Sequence, residues 1–516
     1  MLAGSKPFTI SRAYLSRFLS AATAKKLLLA AMVAAGSVLL SFVLFISNGS
    51  FVAGVAVLGL IAIVLITLYR VDWGFYIFIF MVFFFDQYAP PGFPTLGYSA
   101  GYFLNMNAIS YLPSIKEGVV TPMELQLMLI FLVWVIVAAV GKNIHLTPVP
   151  LRFTVIPLFL AVIGSIANGL AHGGDLVISI WETRALFYLG IMFIFVPQII
   201  QTRQQLQTLI WFCIAGISFK AFQGAERYAS LGFSFGSWPN VYETLTNHED
   251  PVFIITLVIL LIGFSLFQGH ASQRRALLWL LPILILGYVA GQRRATYASF
   301  VATLLAFVVL LPKRERKTVL RVLVVFLIIF GAYLAAFWNS YSRLGSVAQQ
   351  FRSTVTGEGN IRGEYKDRTS TLYRLQENYN LGVTFQAAPA VGVGFGKAYD
   401  KPLRPWGSDF ALGDYLPHNQ ILWVFVKMGV IGGFLFWFFF NSFVFRGALV
   451  FSRLNDPYLK AFCAVCVVAV INQLVVSYAD MQLAWYRNMI YLGLLMGLIP
   501  VLERLDKSPS SVPSQI

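Results

Sequence analysis

Residues 27–47 read LLLAAMVAAGSVLLSFVLFIS. The stretch carries no charged side chain, and as a helix rising about 1.5 Å per residue it reaches across about 30 Å of hydrocarbon. It is too long for the apolar core of a signal peptide and lacks a clear small-residue cleavage site, so it reads as a first membrane anchor. Similar apolar runs of roughly 17–25 residues recur along nearly the whole chain. The 516 residues are 58% hydrophobic, 16% aromatic and only 12% charged, which excludes a soluble globular domain. The runs do not alternate apolar with polar, which excludes a membrane barrel. The expected class is an all-α polytopic membrane protein.

The hydropathy pattern predicts about fourteen spans, centred near residues 37, 60, 80, 131, 161, 192, 214, 260, 284, 304, 328, 429, 469 and 493. Lys6, Arg12, Arg17, Lys25 and Lys26 hold the N-terminal tail (1–26) in the cytoplasm by the positive-inside rule. An even number of spans returns the C-terminal tail (503–516) to that side. Strict alternation then makes Arg274-Arg275, Lys313-Arg314-Glu315-Arg316-Lys317 and the basic stretch from Arg446 to Lys460 cytoplasmic, as the rule requires. The expected organisation is a bundle over 27–338 (about eleven spans, with outer loops 89–120 and 224–250), a large outer loop over 339–417, and about three closing spans over 418–502. Within the large loop, Tyr365, Leu372, Leu375 and Tyr379 recur at helical spacing with Arg368 in the same stripe, which predicts a helix lying on the membrane surface or the bundle. Cys213, Cys463 and Cys466 fall in apolar runs and read as core residues. The serine- and proline-rich C-terminal tail reads as disordered.

The net charge of +16 is less informative than its distribution. Topology accounts for the cytoplasmic cations, and no nucleic-acid partner is expected. The outer side, however, also holds Arg227, Arg293, Arg294, Arg343, Arg352, Arg362, Arg368, Arg374 and Arg404. Arginine suits phosphate because its planar fork donates two parallel charge-assisted bonds and keeps its proton. A merely solvated basic loop is the competing account. Arg293 and Arg294 depart furthest from it, standing between two spans with almost no loop, although snorkelling to lipid headgroups explains them too. Glu226-Arg227 opens another outer loop, with Ser237-Trp238-Pro239-Asn240 beyond, and suits a salt bridge or cap as well as a substrate role.

Pro417-His418-Asn419-Gln420 marks the return from the large loop to an apolar helix. Asn419 there can serve as a helix cap. A neutral imidazole at the outer face, with arginines nearby, can instead accept a proton while phosphate-binding groups stay charged. Gly392, Gly394 and Gly396 lack the strand-turn-helix context of a dinucleotide fingerprint and read as a turn folding the loop back, with backbone N–H groups available to phosphate. His248-Glu249-Asp250 cannot easily converge on one ion and reads as capping before Pro251. Glu182 and Arg184 read as neutralising each other or capping a helix. No metal and no cofactor are expected.

The stretch from Pro417-His418-Asn419-Gln420-Ile421-Leu422 through Gly429-Val430-Ile431-Gly432-Gly433 resembles a signature of the O-antigen ligase and O-antigen polymerase superfamily. Gly291-Gln292-Arg293-Arg294-Ala295 is similar to that family's Ser-Arg-Gly segment. Pro389-Ala390-Val391-Gly392-Val393-Gly394-Phe395-Gly396 is similar to its Pro-x-x-Gly-x-Gly-x-Gly turn. The likeness is clearest from about residue 200 to 440. It implies a GT-C-like fold of many helices with one large periplasmic loop containing short helices, in the bacterial inner membrane, with both termini cytoplasmic. It also implies an inverting, metal-independent glycosyltransferase. The donor would be an undecaprenyl-diphosphate-linked glycan, and the acceptor a glycan or lipid A core. Carried across by position, Arg294 or its neighbour Arg293, together with Arg227, would grip the diphosphate, and His418 would orient or deprotonate the acceptor hydroxyl. Asn419, Arg368 and Gly394 complete the expected substrate-binding set.

Two departures stand out. Arg293 replaces the family's serine, so two registers remain open for the arginine. Lys427 stands where the family often carries an acid, roughly nine residues into a helix and on the order of 13 Å below His418, and needs a partner. A transporter of a glycolipid or anionic solute is the alternative function. It fits less well, because polar residues gather at the outer ends and in one loop rather than at the midplane.

Overall fold

A computed structural model describes residues 22–46, 48–49, 51–89, 95–109, 119–140, 147–148, 151–233, 244–340, 342–356, 363–404 and 412–507. Residues 1–21 and 508–516 of the expected tails, the Ser237–Asn240 loop and Arg362 lie outside the described residues. Side chains of 363–368, Tyr365 and Arg368 among them, lie outside as well. Among the described residues all regular structure is helical.

The main helices are α1 (Ala22–Ile46), α2 (Phe51–Tyr69), α3 (Val71–Phe84), α4 (Pro122–Val140), α5 (Arg152–Ala171), α6 (Leu176–Ile199), α7 (Arg203–Ser230) and α8 (Asp250–Phe267). They continue with α9 (Ala271–Ala290), α10 (Arg294–Leu310), α11 (Lys313–Phe337), α12 (Ser346–Thr356), α13 (Gly363–Ala387), α14 (Gln420–Arg453), α15 (Pro457–Ser477) and α16 (Tyr486–Lys507). Every predicted span centre falls within one of these helices. Ten of them (α4–α9, α11 and α14–α16) are long and apolar enough to cross a membrane, while α1–α3 and α10 contribute shorter apolar segments.

The chain forms two compact units, one of residues 1–148 with 198–216, the other of residues 149–197 with 217–516. In the first, the aromatic face of α3 is buried, with Phe75, Phe78 and Phe83 each 0–1% exposed. The second unit holds every residue of the expected site. Its centre is α8, α15 and α16, whose most apolar windows are 72%, 78% and 78% buried, whereas that of α11 is 0% buried. Cys463 and Cys466 are buried in α15, as their apolar setting predicts.

Local signals fix where these helices begin. Asp456 caps α15 by accepting from the Tyr458 and Leu459 amides at 2.8 and 3.1 Å, and Pro457 follows at the first helical position, where its missing N–H costs nothing. Asn419 caps α14, its side chain accepting from Leu422 N at 3.1 Å. In the large loop, α12 is short, but α13 is as long as a span and too polar to be one. Leu372, Leu375 and Tyr379 lie on its exposed side, at 50%, 61% and 56% exposure.

α14 is broken at Gly429 (φ 65°, ψ −168°). The break releases the carbonyls of Val426 and Lys427, which accept from Val393 N and Gly394 N at 2.9 and 3.1 Å. It also releases the amides of Val430 and Ile431, which donate to the carbonyls of Pro389 and Ala390 at 2.8 and 3.2 Å. The glycine turn of the large loop is thus zipped by backbone bonds into the gap in α14. A Cβ at Gly429 would lie 2.2 Å from the Ala390 oxygen, and one at Gly394 2.2 Å from the Gly169 nitrogen of α5. Only glycine permits both the left-handed φ and this approach.

Lys427 finds its partner here. Its Nζ lies 2.7 Å from Glu182 Oε1 of α6, with both side chains 0% exposed, and it also donates to the Lys397 carbonyl. The other Glu182 oxygen accepts the Gly396 amide. The expectation that Glu182 and Arg184 neutralise each other is therefore corrected. Helical geometry turns residues two apart to different faces, and Arg184 instead lies over the Tyr486 ring at 5.7 Å.

Candidate active site

The starts of α8, α10, α14 and α16 and the ends of α9 and α15 gather at one end of the second unit, with α13 alongside. His418 is held there by Glu377 of α13. Its backbone N–H donates to Glu377 Oε2 at 2.9 Å, and its Nδ1 lies 3.3 Å from Glu377 Oε1. A carboxylate only accepts, so this contact selects the tautomer with the proton on Nδ1 and a lone pair on Nε2. Tyr373, one helical turn before Glu377, packs edge-on against the imidazole with ring centroids 5.3 Å apart. Glu377 is buried, at 2% side-chain exposure, whereas His418 keeps 26%.

Arg293 and Arg294 occupy the tight reversal between α9 and α10, where Gln292 takes a left-handed φ of 46°. Arg293 is the N-cap residue of α10 and Arg294 its first helical residue. The Arg293 guanidinium donates to His248 Nε2. His248 Nδ1 in turn lies 3.2 Å from the buried Asp480 of the α15–α16 connection, and Trp485 packs on its ring with centroids 5.3 Å apart. Asp480 also accepts from the Met481 amide and Gln482 Nε2, each at 3.0 Å. Burial alone would raise its pKa, but His248, Arg293 and His418 outweigh burial and hold the carboxyl well below the usual range. Asp480 is therefore an anion among the cations and imidazoles of the site.

Arg374 of α13 lies in the field of the same groups. Burial lowers its pKa, Arg293 and Arg294 lower it further, and Asp480 and Glu377 oppose them. Arg227, in the last turn of α7, donates to the Leu245 carbonyl at 2.6 Å, and the Leu245 amide donates to the Ala290 carbonyl at 3.1 Å. It is thus tied to the end of α9, just before the arginine pair.

The remaining expected residues separate from this cluster. Asn419 acts as the α14 cap, and its Nδ2 donates to Asn378 Oδ1 at 3.0 Å. Gly394 directs its amide to Lys427 O rather than outward, because the break in α14 offers that acceptor. Arg368 lies in α13. Glu249 and Asp250 do not cap α8 as expected of them. Both bind the buried Arg487 of α16, at 2.7 and 2.9 Å, while His248 turns to Arg293 and Asp480. Sequence inspection missed Glu377, Asp480 and His248 as partners. The signals present were an acid one turn from a tyrosine in a polar helix and an aspartate interrupting two apolar runs.

These features define a multi-pass α-helical membrane protein with arginines and a carboxylate-held histidine collected at one end. Residues 276–437 match the family model for O-antigen ligase, which supports the O-antigen ligase and polymerase superfamily for this chain. The match supports, in general terms, a membrane glycosyltransferase of that type. It takes in Arg293, Arg294, Arg374, Glu377, Gly394, His418 and Lys427, and leaves out Arg227, His248 and Asp480. No curated protein matches the chain.

Proposed function

We propose that the protein transfers a glycan from a polyprenyl-diphosphate-linked donor to an acceptor hydroxyl, at the periplasmic face of the bacterial inner membrane and with inversion. The carrying observation is the Glu377-held imidazole of His418 beside a group of arginines. In this mechanism His418 Nε2 takes the acceptor's proton as its oxygen bonds to the anomeric carbon. The bond from that carbon to the diphosphate breaks, and its electron pair leaves on the phosphate oxygen. Arg294, Arg293 and Arg227 meet the developing charge, which is the stage at which pre-aimed donors accelerate a reaction most.

The test is transfer by the purified protein from an undecaprenyl-diphosphate oligosaccharide. His418→Ala and Arg294→Ala are each expected to lower the rate by about 10²-fold or more while leaving abundance intact. Wild-type rates in both variants overturn the proposal. Lengthening lipid-linked products mark a polymerase, one-step modification of lipid A core a ligase, and labelled protein a protein glycosyltransferase.

A further inference from the structure

α13 presents more than Glu377 to the site. Tyr373 packs on His418, Glu377 bonds it, and Asn378 accepts from Asn419. Arg374 stands three residues before Glu377 and four before Asn378, the two offsets that share a helical face. Its side chain is partly buried. Among the described residues no hydrogen bond or ion pair engages its guanidinium. The two carboxylates whose field it feels are each in contact with an imidazole, Glu377 with His418 and Asp480 with His248. A guanidinium cannot shed its charge. Partly buried, near two others and without a carboxylate in contact, it is disfavoured until a multiply charged anion arrives.

We propose that Arg374 binds the diphosphate of the donor together with Arg293 and Arg294, so that one helix supplies both a leaving-group ligand and the residues that hold the base. The proposal rests on the glycosyl-transfer reading above. α13 would then couple the two halves of the reaction, because any shift that loosens Arg374 from the phosphates also moves Glu377 and His418. The recognised chemistry is a phosphate-bearing lipid headgroup, which a polyprenyl diphosphate and an anionic phospholipid share in part.

The experiment measures binding of undecaprenyl diphosphate, undecaprenyl monophosphate and phosphatidylglycerol to the full-length protein in detergent. The expected result is tightest binding of the diphosphate. Arg374→Ala should weaken it by about 10- to 100-fold, the loss of one charge-assisted interaction. Arg374→Lys should fall between, keeping the charge but losing the fork. Arg352→Ala, whose side chain donates to Asn339 at 2.9 Å, should bind as wild type does. Unchanged diphosphate affinity in Arg374→Ala overturns the proposal, even if transfer falls, since the residue would then act only by placing α13. Equal loss of all three lipids overturns it as well, marking a non-selective basic surface. If Arg374→Ala does not accumulate, wild-type affinity in both Arg374→Lys and Arg374→Gln does the same. Failure of the wild-type protein to bind undecaprenyl diphosphate refutes the transfer reading itself, a distinct result.

Discussion

Replacing Lys427 with methionine leaves the buried Glu182 carboxylate without its counter-ion. Both side chains are fully buried and 2.7 Å apart, so neither can turn to water. Breaking such a pair from one side costs about 3–5 kcal/mol, because the remaining charge is desolvated and uncompensated. The double variant Lys427→Met/Glu182→Gln removes both charges, and the glutamine oxygen still accepts the Gly396 amide. What remains lost are the bond to the Lys397 carbonyl and the 3.4 Å contact from Trp423 Nε1, which keeps its bond to the Tyr415 carbonyl, a penalty of about 1–3 kcal/mol. The double variant is therefore expected to be more stable than Lys427→Met alone, the reverse of additivity. Thermal unfolding of the detergent-solubilised protein, followed by tryptophan fluorescence and size-exclusion chromatography, measures the ranking. The same ranking should appear in transfer activity, since the pair fastens the glycine turn to the broken helix that begins just after His418. A Lys427→Met protein as stable as wild type, or a double variant that loses the sum of the two single losses, would refute the reasoning.

Gly429→Ala is expected to destabilise the protein by several-fold more than the ~1 kcal/mol typical of a point substitution, because its Cβ would meet the Ala390 oxygen at 2.2 Å; protein abundance and melting temperature check this. Glu377→Gln keeps the side-chain shape but removes the charge that holds His418. It should lower kcat by about 10–10²-fold with little change in KM, with Glu377→Asp recovering part of the rate, and a raised KM at constant kcat would count against it. A reporter fused near residue 375 is expected on the periplasmic side, and a cytoplasmic signal there overturns the proposed orientation.

The site was partly legible in the sequence. His418 and the Arg293-Arg294 pair are identifiable because a titratable or cationic residue between two apolar runs is costly and conspicuous. Arg227 was placed one step removed, through the Leu245 carbonyl. The role given to Gly394 rested on its open backbone, and folding filled that amide with the Lys427 carbonyl. Glu377 and Asp480 gave weaker signals, since an acid in a polar loop helix or between two spans is ordinary composition until its neighbour is known.

By itself the sequence determined the helical spans, because hydrocarbon leaves a backbone no alternative to satisfying its own hydrogen bonds within each segment. It also determined the cap at Asn419, where the bond closes within three residues. Only the tertiary structure decided which charges meet. Lys427 with Glu182, His418 with Glu377, His248 with Asp480, and Arg487 with Glu249 and Asp250 are pairings between segments far apart in the chain. Coulomb attraction in a dry interior is strong but has no address in the local sequence, and the packing of helix on helix supplies it.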